Sequence, residues 1–148
     1  MSPGSLDAAL IRRHLAAVDG ALRQLRTHAD RPLDALRDRD EAWAVERGLQ
    51  VCVQNCIDIA THLAAAAGRD VPDYASAFDR LAELGVLPPA FAGSFRAVAG
   101  FRNVLVHGYL DIDPALVHRI LNERLDDIEV YAHHIEAWLE RAEGSGNG

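Results

Sequence analysis

The sequence predicts an all-α bundle, and three observations carry that prediction. Apolar residues recur at intervals of three to five over long stretches, which is the period of an amphipathic helix. Hydrophobic residues make up 49% of the chain but aromatic ones only 6%. The core must therefore be assembled mostly from Leu, Ala, Val and Ile, which suits packed helices better than sheets. No stretch sustains the apolar–polar alternation of a half-buried strand.

The elements follow in order. Between Ser5 and about His28, Leu6, Leu10, Leu15, Val18, Leu22 and Leu25 form one helical stripe, with Ser5 as its expected cap. Asp30 and Pro32 break that run and open a short turn carrying Leu33 and Leu36. Asp40 is the expected cap of a second long helix, from about Glu41 to Ala67, and Glu41 supplies negative charge where the helix dipole favours it. Trp43, Leu49, Val53, Cys56, Ile57, Ala60 and Leu63 are expected to face inward, with Gly68 ending the helix. Asp73 caps a short helix with Phe78, Leu81 and Leu84 inward and Gly85 at its end. Pro88 and Pro89 open another, whose Phe91, Phe95, Val98 and Ala99 lead into residues 102–109. Asp113 followed by Pro114 is an N-cap and first-position pair. From there Val117, Leu121, Leu125, Ile128, Tyr131, Ile135 and Trp138 define a final helix of about eight turns. The prediction is thus two long antiparallel helices, shorter ones and a long C-terminal helix, in a single domain over residues 1–142. Residues 143–148 are expected to form a disordered tail.

Length and composition narrow the function. A chain of 148 residues can bury one real core. No apolar run approaches the roughly 18 residues that a membrane span requires, and the N-terminus lacks the pattern of a signal peptide. A soluble, cytoplasmic protein is expected. Cys52 and Cys56, one helical turn apart, read as buried core residues rather than a disulfide. The seven histidines, including the pair His133–His134, show no zinc-type spacing, so no metal or other cofactor is expected. Net charge is −7 and all fifteen basic residues are Arg. That acidity argues against a broad nucleic-acid surface, because non-specific affinity scales with the phosphates neutralised. Any RNA contact must be local. Arg12, Arg23 and Arg26 share one face of the first helix with Asp19, a charge-mixed and solvated face.

On the second helix Glu46, Gln50, Gln54 and Asp58 form a row, each step drifting by about 40°. With Arg47 beside it, the row reads either as a solvated face or as the lining of a cleft.

The most informative stretch is Arg102-Asn103-Val104-Leu105-Val106-His107-Gly108-Tyr109. It brings a guanidinium, an amide, an imidazole and a phenol to one helix end, a set suited to phosphodiester chemistry. Asn103 and His107 lie about 40° apart around a helix, so the amide can orient the imidazole. Arg102 and His107 diverge by about 140°. One straight helix cannot aim both at one small ligand, so either the helix ends here or a second chain contributes. Gly108, able to take the left-handed conformation, is the expected terminator.

Gly100-Phe101-Arg102-Asn103-Val104-Leu105-Val106-His107-Gly108-Tyr109 resembles the HEPN superfamily, and within it the HepT-like toxin ribonucleases that pair with a minimal nucleotidyltransferase antitoxin. The stretch fits that group's R-x4-H-x-Y pattern, with a polar residue directly after the Arg. Glu46-Arg47 ahead of Leu49-Gln50, Asp58-Ile59-Ala60 ahead of Gly68, and the Leu81-to-Leu87 stretch agree with it. The similarity covers roughly residues 5–140.

The resemblance implies a homodimer whose motif helices meet in a shared cleft. It implies metal-independent cleavage of RNA, not DNA, through attack of the 2′-hydroxyl on the adjacent phosphorus. Arg102, Asn103 and His107 would be catalytic, with Glu46, Arg47 and Asp58 as possible cleft lining. An imidazole can exchange a proton with the attacking or leaving oxygen near neutral pH. A guanidinium can fork onto phosphoryl oxygens as charge grows there. Tyr109 resembles the family's regulatory tyrosine, to which the partner nucleotidyltransferase attaches AMP; an anionic group beside the cleft would exclude RNA.

Plainer readings stand beside these. His107 could cap the carbonyls of its own helix, Arg102 could form an ion pair with Asp58 or Glu46, and Tyr109 could be a packing residue. At the level of function, the alternative is a non-catalytic helical module that binds a nucleotidyltransferase or a nucleotide.

Overall fold

The computed structural model describes residues 6–108 and 112–146. Among them there is no strand, and the helices are α1 (Ala8–Arg26), α2 (Arg39–Ala66), α3 (Tyr74–Glu83), α4 (Pro89–Phe95), α5 (Ala97–His107), α6 (Pro114–Glu123) and α7 (Leu125–Gly146), with a 3-10 turn at Leu33–Arg37 between the first two. None of these helices is long and apolar enough to cross a membrane.

Cross-contacts define the topology. Asp7 N donates to His62 Nε2 at 3.2 Å, His14 Nδ1 lies 2.7 Å from Asn55 Oδ1, and His28 Nδ1 lies 2.8 Å from Glu41 Oε1. As the first number rises the second falls, so α1 and α2 are antiparallel. The same holds for α1 and α7, where Arg12 pairs with Glu136 and Glu143 while Arg26 pairs with Asp126 and Glu129. These surface pairs set registry more than stability. The apolar stripes of all three helices meet in one core, with Ile11, Val18, Leu49, Ile57, Ile128 and Ile135 among its buried members.

An aromatic cluster closes the other side of α2. Phe78 stands edge-on to Phe95 (centroids 5.1 Å apart) and to Tyr131 (5.8 Å), and Phe95 stacks on Tyr131 at 4.6 Å. Tyr131 is fully buried, and its hydroxyl donates to Cys56 O at 2.8 Å, so the phenol enters the core with its polar end satisfied.

Cys52 and Cys56 are both free and buried. Burial pushes the Cys52 thiol up to about 12 and raises Cys56 well above its ordinary value, with the neighbouring Cys52 adding to the effect. Since the thiolate is the reactive species, the native protein at pH 8 should react negligibly with an aromatic disulfide reagent. Both thiols should titrate promptly in guanidinium chloride. Rapid native labelling would mean that this part of α2 opens readily.

Several local expectations shift. Ser5 lies outside the described residues, and Asp7 caps α1 instead, accepting from Leu10 N at 3.0 Å. Asp38, not Asp40, caps α2, accepting from Asp40 N at 2.9 Å and Glu41 N at 3.5 Å. Asp73 and Asp113 cap α3 and α6 as expected. The single C-terminal helix divides at Arg124 (φ −116°, ψ −7°). No Gly or Pro marks the joint; it is tertiary. Arg124 reaches Ser94 O on α4 at 3.4 Å and places its guanidinium carbon 5.5 Å from the Phe101 ring centroid. The break lets α6 pack on the 3-10 turn and α2 while α7 follows α1. α7 remains helical to Gly146, past the Glu143 where the tail was expected to begin; residues 147–148 fall outside the described set. The largest reversal is Trp43, expected inside and in fact 78% exposed.

Candidate functional site

The site is built where α5 crosses α2. α5 buries Val98, Ala99 and Leu105 and leaves Val104, Val106 and His107 on its outer side. Two glutamines of the polar row on α2 hold it in place. Gln50 Nε2 donates to Leu105 O at 3.0 Å, satisfying a carbonyl in the last turn of α5, where helices leave acceptors without partners.

Gln54 reaches Arg102. Its Oε1 accepts from Arg102 Nε at 3.3 Å, while its Nε2 donates to Asp58 Oδ1 at 2.8 Å. A guanidinium can only donate and a carboxylate can only accept, so the two neighbours together dictate which way the amide faces. Tyr74, at the start of α3, offers its ring face to the same guanidinium, 4.9 Å from Arg102 Cζ to the centroid, a cation–π geometry. Arg102 NH1 also makes a long 3.5 Å contact with Asn103 Oδ1. Half-buried Arg102 therefore has three uncharged neighbours and, among the described residues, no ion pair with Asp58 or Glu46.

His107, the last residue of α5, is exposed. Among the described residues no hydrogen bond joins it to Asn103, whose side chain faces Arg102 instead. Gly108 ends the helix as expected but not in the expected conformation: its φ is −87°, outside the left-handed region. Glycine is required for space. A Cβ there would lie 2.5 Å from Val104 O and 2.6 Å from Ile112 Cγ1. Tyr109 lies outside the described residues.

Glu46 and Arg47 line a cavity of about 660 Å³ with Arg39, Trp43, Gln50 and Val106. A smaller cavity of about 280 Å³ adjoins it, bounded by Arg47, Gln50, Gln54 and Arg102. Glu46 faces this space half-buried, and burial raises its pKa above the usual carboxylate value. Asp58 does not reach this lining; it acts through Gln54. Three of the four residues of the polar row on α2, Glu46, Gln50 and Gln54, thus line the cleft. Gln50 and Gln54, members of the row that the sequence offered as a possible cleft lining, make the contacts to α5, whereas nothing in the sequence singled out Tyr74.

No group of three or more His, Cys, Asp or Glu side chains that could hold a metal comes together among the described residues. The arrangement offers a positive group, Arg102, lining a cleft, and an exposed imidazole, His107, at the end of the same helix. The family model "Ribonuclease HepT-like" matches residues 18–135. The chain belongs to this family.

Two relatives and one solved structure place it more closely. It is 32% identical over 108 residues to the tRNA nuclease HepT of Aphanizomenon flos-aquae, covering 72% of this chain and 73% of that protein. It is 28% identical over 90 residues to the mRNA nuclease HepT of Shewanella oneidensis, covering 60% and 68%. The fold superposes with a TM-score of 0.75 on the tri-AMPylated Shewanella oneidensis HEPN toxin in complex with MNT antitoxin, at 23% identity, covering 86% of this chain and 96% of that one.

Proposed function

We propose that this protein is the toxin ribonuclease of a HEPN/MNT toxin–antitoxin pair and cleaves RNA without a metal ion. In the reaction the 2′-oxygen forms a bond to the adjacent phosphorus as the bond to the 5′-oxygen breaks, leaving a cyclic phosphate and a 5′-hydroxyl end. His107 exchanges the proton with the attacking or leaving oxygen. Arg102, oriented by Gln54, Tyr74 and Asn103, stabilises charge on the phosphoryl oxygens. The observation that carries the reading is a guanidinium fixed by neutral partners on the helix that ends in an exposed histidine.

Arg102 and His107 diverge on α5, so we assign the complete site to two chains of a homodimer. Val104 and Val106, 36% and 41% exposed on the same helix, support that contact. Tyr109, one residue beyond Gly108, is the proposed acceptor of AMP from a nucleotidyltransferase antitoxin. The AMPylated Shewanella toxin supports this assignment.

The test is cleavage of single-stranded RNA in excess chelator, beside DNA of the same sequence. RNA should be cut to cyclic-phosphate ends and DNA left whole, because DNA lacks the 2′-hydroxyl. Activity that needs added metal, or that cuts DNA equally, would reject the mechanism. Mass spectrometry after co-expression with a nucleotidyltransferase antitoxin of the MNT type tests the AMP assignment: Tyr109 should carry the added mass, and an unmodified Tyr109 would remove it.

A further inference from the structure

The arginines divide into two populations. Nine of the fifteen lie in ion pairs with carboxylates: Arg12, Arg23, Arg26, Arg31, Arg37, Arg69, Arg80, Arg96 and Arg124. Among the described residues the other six have no such partner. Three of those six, Arg39, Arg47 and Arg102, line the two adjoining cavities between α2 and α5. In a chain of net charge −7, unpaired positive charge is thus concentrated in the groove that reaches the proposed site.

The same groove contains the most exposed large hydrophobic residue described, Trp43. Arg39, Trp43 and Arg47 occupy positions i, i+4 and i+8 of α2, so they form one row rising about 6 Å per step. An indole between two guanidiniums matches the chemistry of a single nucleic-acid strand, in which bases stack on an aromatic face while phosphates meet positive charge. The Arg47 end of the row shares its cavity with Arg102.

We propose that the α2–α5 groove is a single-stranded RNA track in which Trp43 stacks on a base and Arg39 and Arg47 hold flanking phosphates, leading the strand to Arg102. This rests on the ribonuclease reading and adds to it the surface that grips RNA away from the scissile bond. Among the described residues Glu46 is the one carboxylate lining the groove. Its carboxylate is the negative group that a phosphate in the groove would meet, so Glu46→Gln should tighten binding.

The experiment measures binding of fluorescently labelled single-stranded RNA, 2′-O-methylated so that it cannot be cut, to the full chain at several salt concentrations. Trp43→Ala should weaken binding about tenfold, and Trp43→Phe should retain most of the affinity, since stacking on an aromatic face is the interaction removed. Arg39→Ala with Arg47→Ala should lower the salt slope by about 1.4, the value for two lost phosphate contacts on a single strand. Trp43 is too exposed for its loss to unfold α2, and a thermal melt checks this. If the wild type cuts RNA while Trp43→Ala binds as tightly as wild type, the track is wrong and the ribonuclease reading stands. If the wild type neither binds nor cuts RNA, both fall. If Trp43→Ala instead dissociates the oligomer or releases the antitoxin while RNA affinity is unchanged, the tryptophan belongs to a protein interface and the proposal is overturned.

Discussion

His107→Ala is expected to reduce RNA cleavage by roughly 10²–10⁴-fold, the range that general acid–base groups contribute. Arg102→Ala should cost a comparable roughly 10²–10³-fold, as removal of a charge-stabilising donor does elsewhere. His107 is exposed and takes no part in the core, so its loss should leave helical content and melting temperature nearly unchanged. Arg102 supports local order through Gln54 and Tyr74, and Arg102→Lys separates its two roles. A lysine keeps the positive charge but lacks the planar fork, and cleavage should remain well below wild type. Initial rates on a defined RNA under single-turnover conditions decide the matter. The double variant should be little worse than the weaker single one, because groups acting on one step are not additive. Cleavage that persists in both single variants would move the chemistry away from α5.

Phe78→Ala should be the most destabilising single change in the chain, by about 3–5 kcal/mol. Phe78 is fully buried on α3 and meets Phe95 of α4 and Tyr131 of α7 edge-on, so truncation leaves a cavity and removes two aromatic contacts. For a protein of this size each kcal/mol shifts the melting temperature by about 2–4 °C, so thermal denaturation followed by circular dichroism should show a drop on the order of 10 °C. A change of only a degree or two would mean that the surrounding helices collapse onto the vacancy. Phe78→Leu should recover much of the loss.

The elements that the sequence revealed best were those in which local chemistry and burial agree. Asp73 and Asp113 are caps in both readings because their carboxylates satisfy amides that nothing else can reach. The apolar stripe of α2 was legible because ten of its residues are buried. What escaped was decided by tertiary contacts. A tryptophan at helical spacing cannot announce that it faces outward, and Trp43 does. The joint at Arg124 has no local breaker, since it follows from α6 and α7 packing on different neighbours. Gly108 was recognised as a terminator, but its reason is lack of space against Val104 O and the Ile112 side chain rather than a left-handed conformation. At the site, Arg102 and His107 could be read from spacing and family likeness, whereas the hold on Arg102 comes from helices roughly 50 and 30 residues earlier in the chain.

The use of a glutamine between Asp58 and Arg102 has an electrostatic meaning. A carboxylate placed directly against the guanidinium would fix it equally well, but would also cancel its charge and compete with any incoming phosphate. An entering strand would then have to break an ion pair before gaining a contact. The Gln54 amide instead transmits position without transmitting charge. Asp58 steadies Arg102 at one remove, and the full positive charge stays directed at the cleft. On that account Gln54→Glu, a change of one atom, should hold Arg102 more tightly and yet leave it a poorer ligand for phosphate.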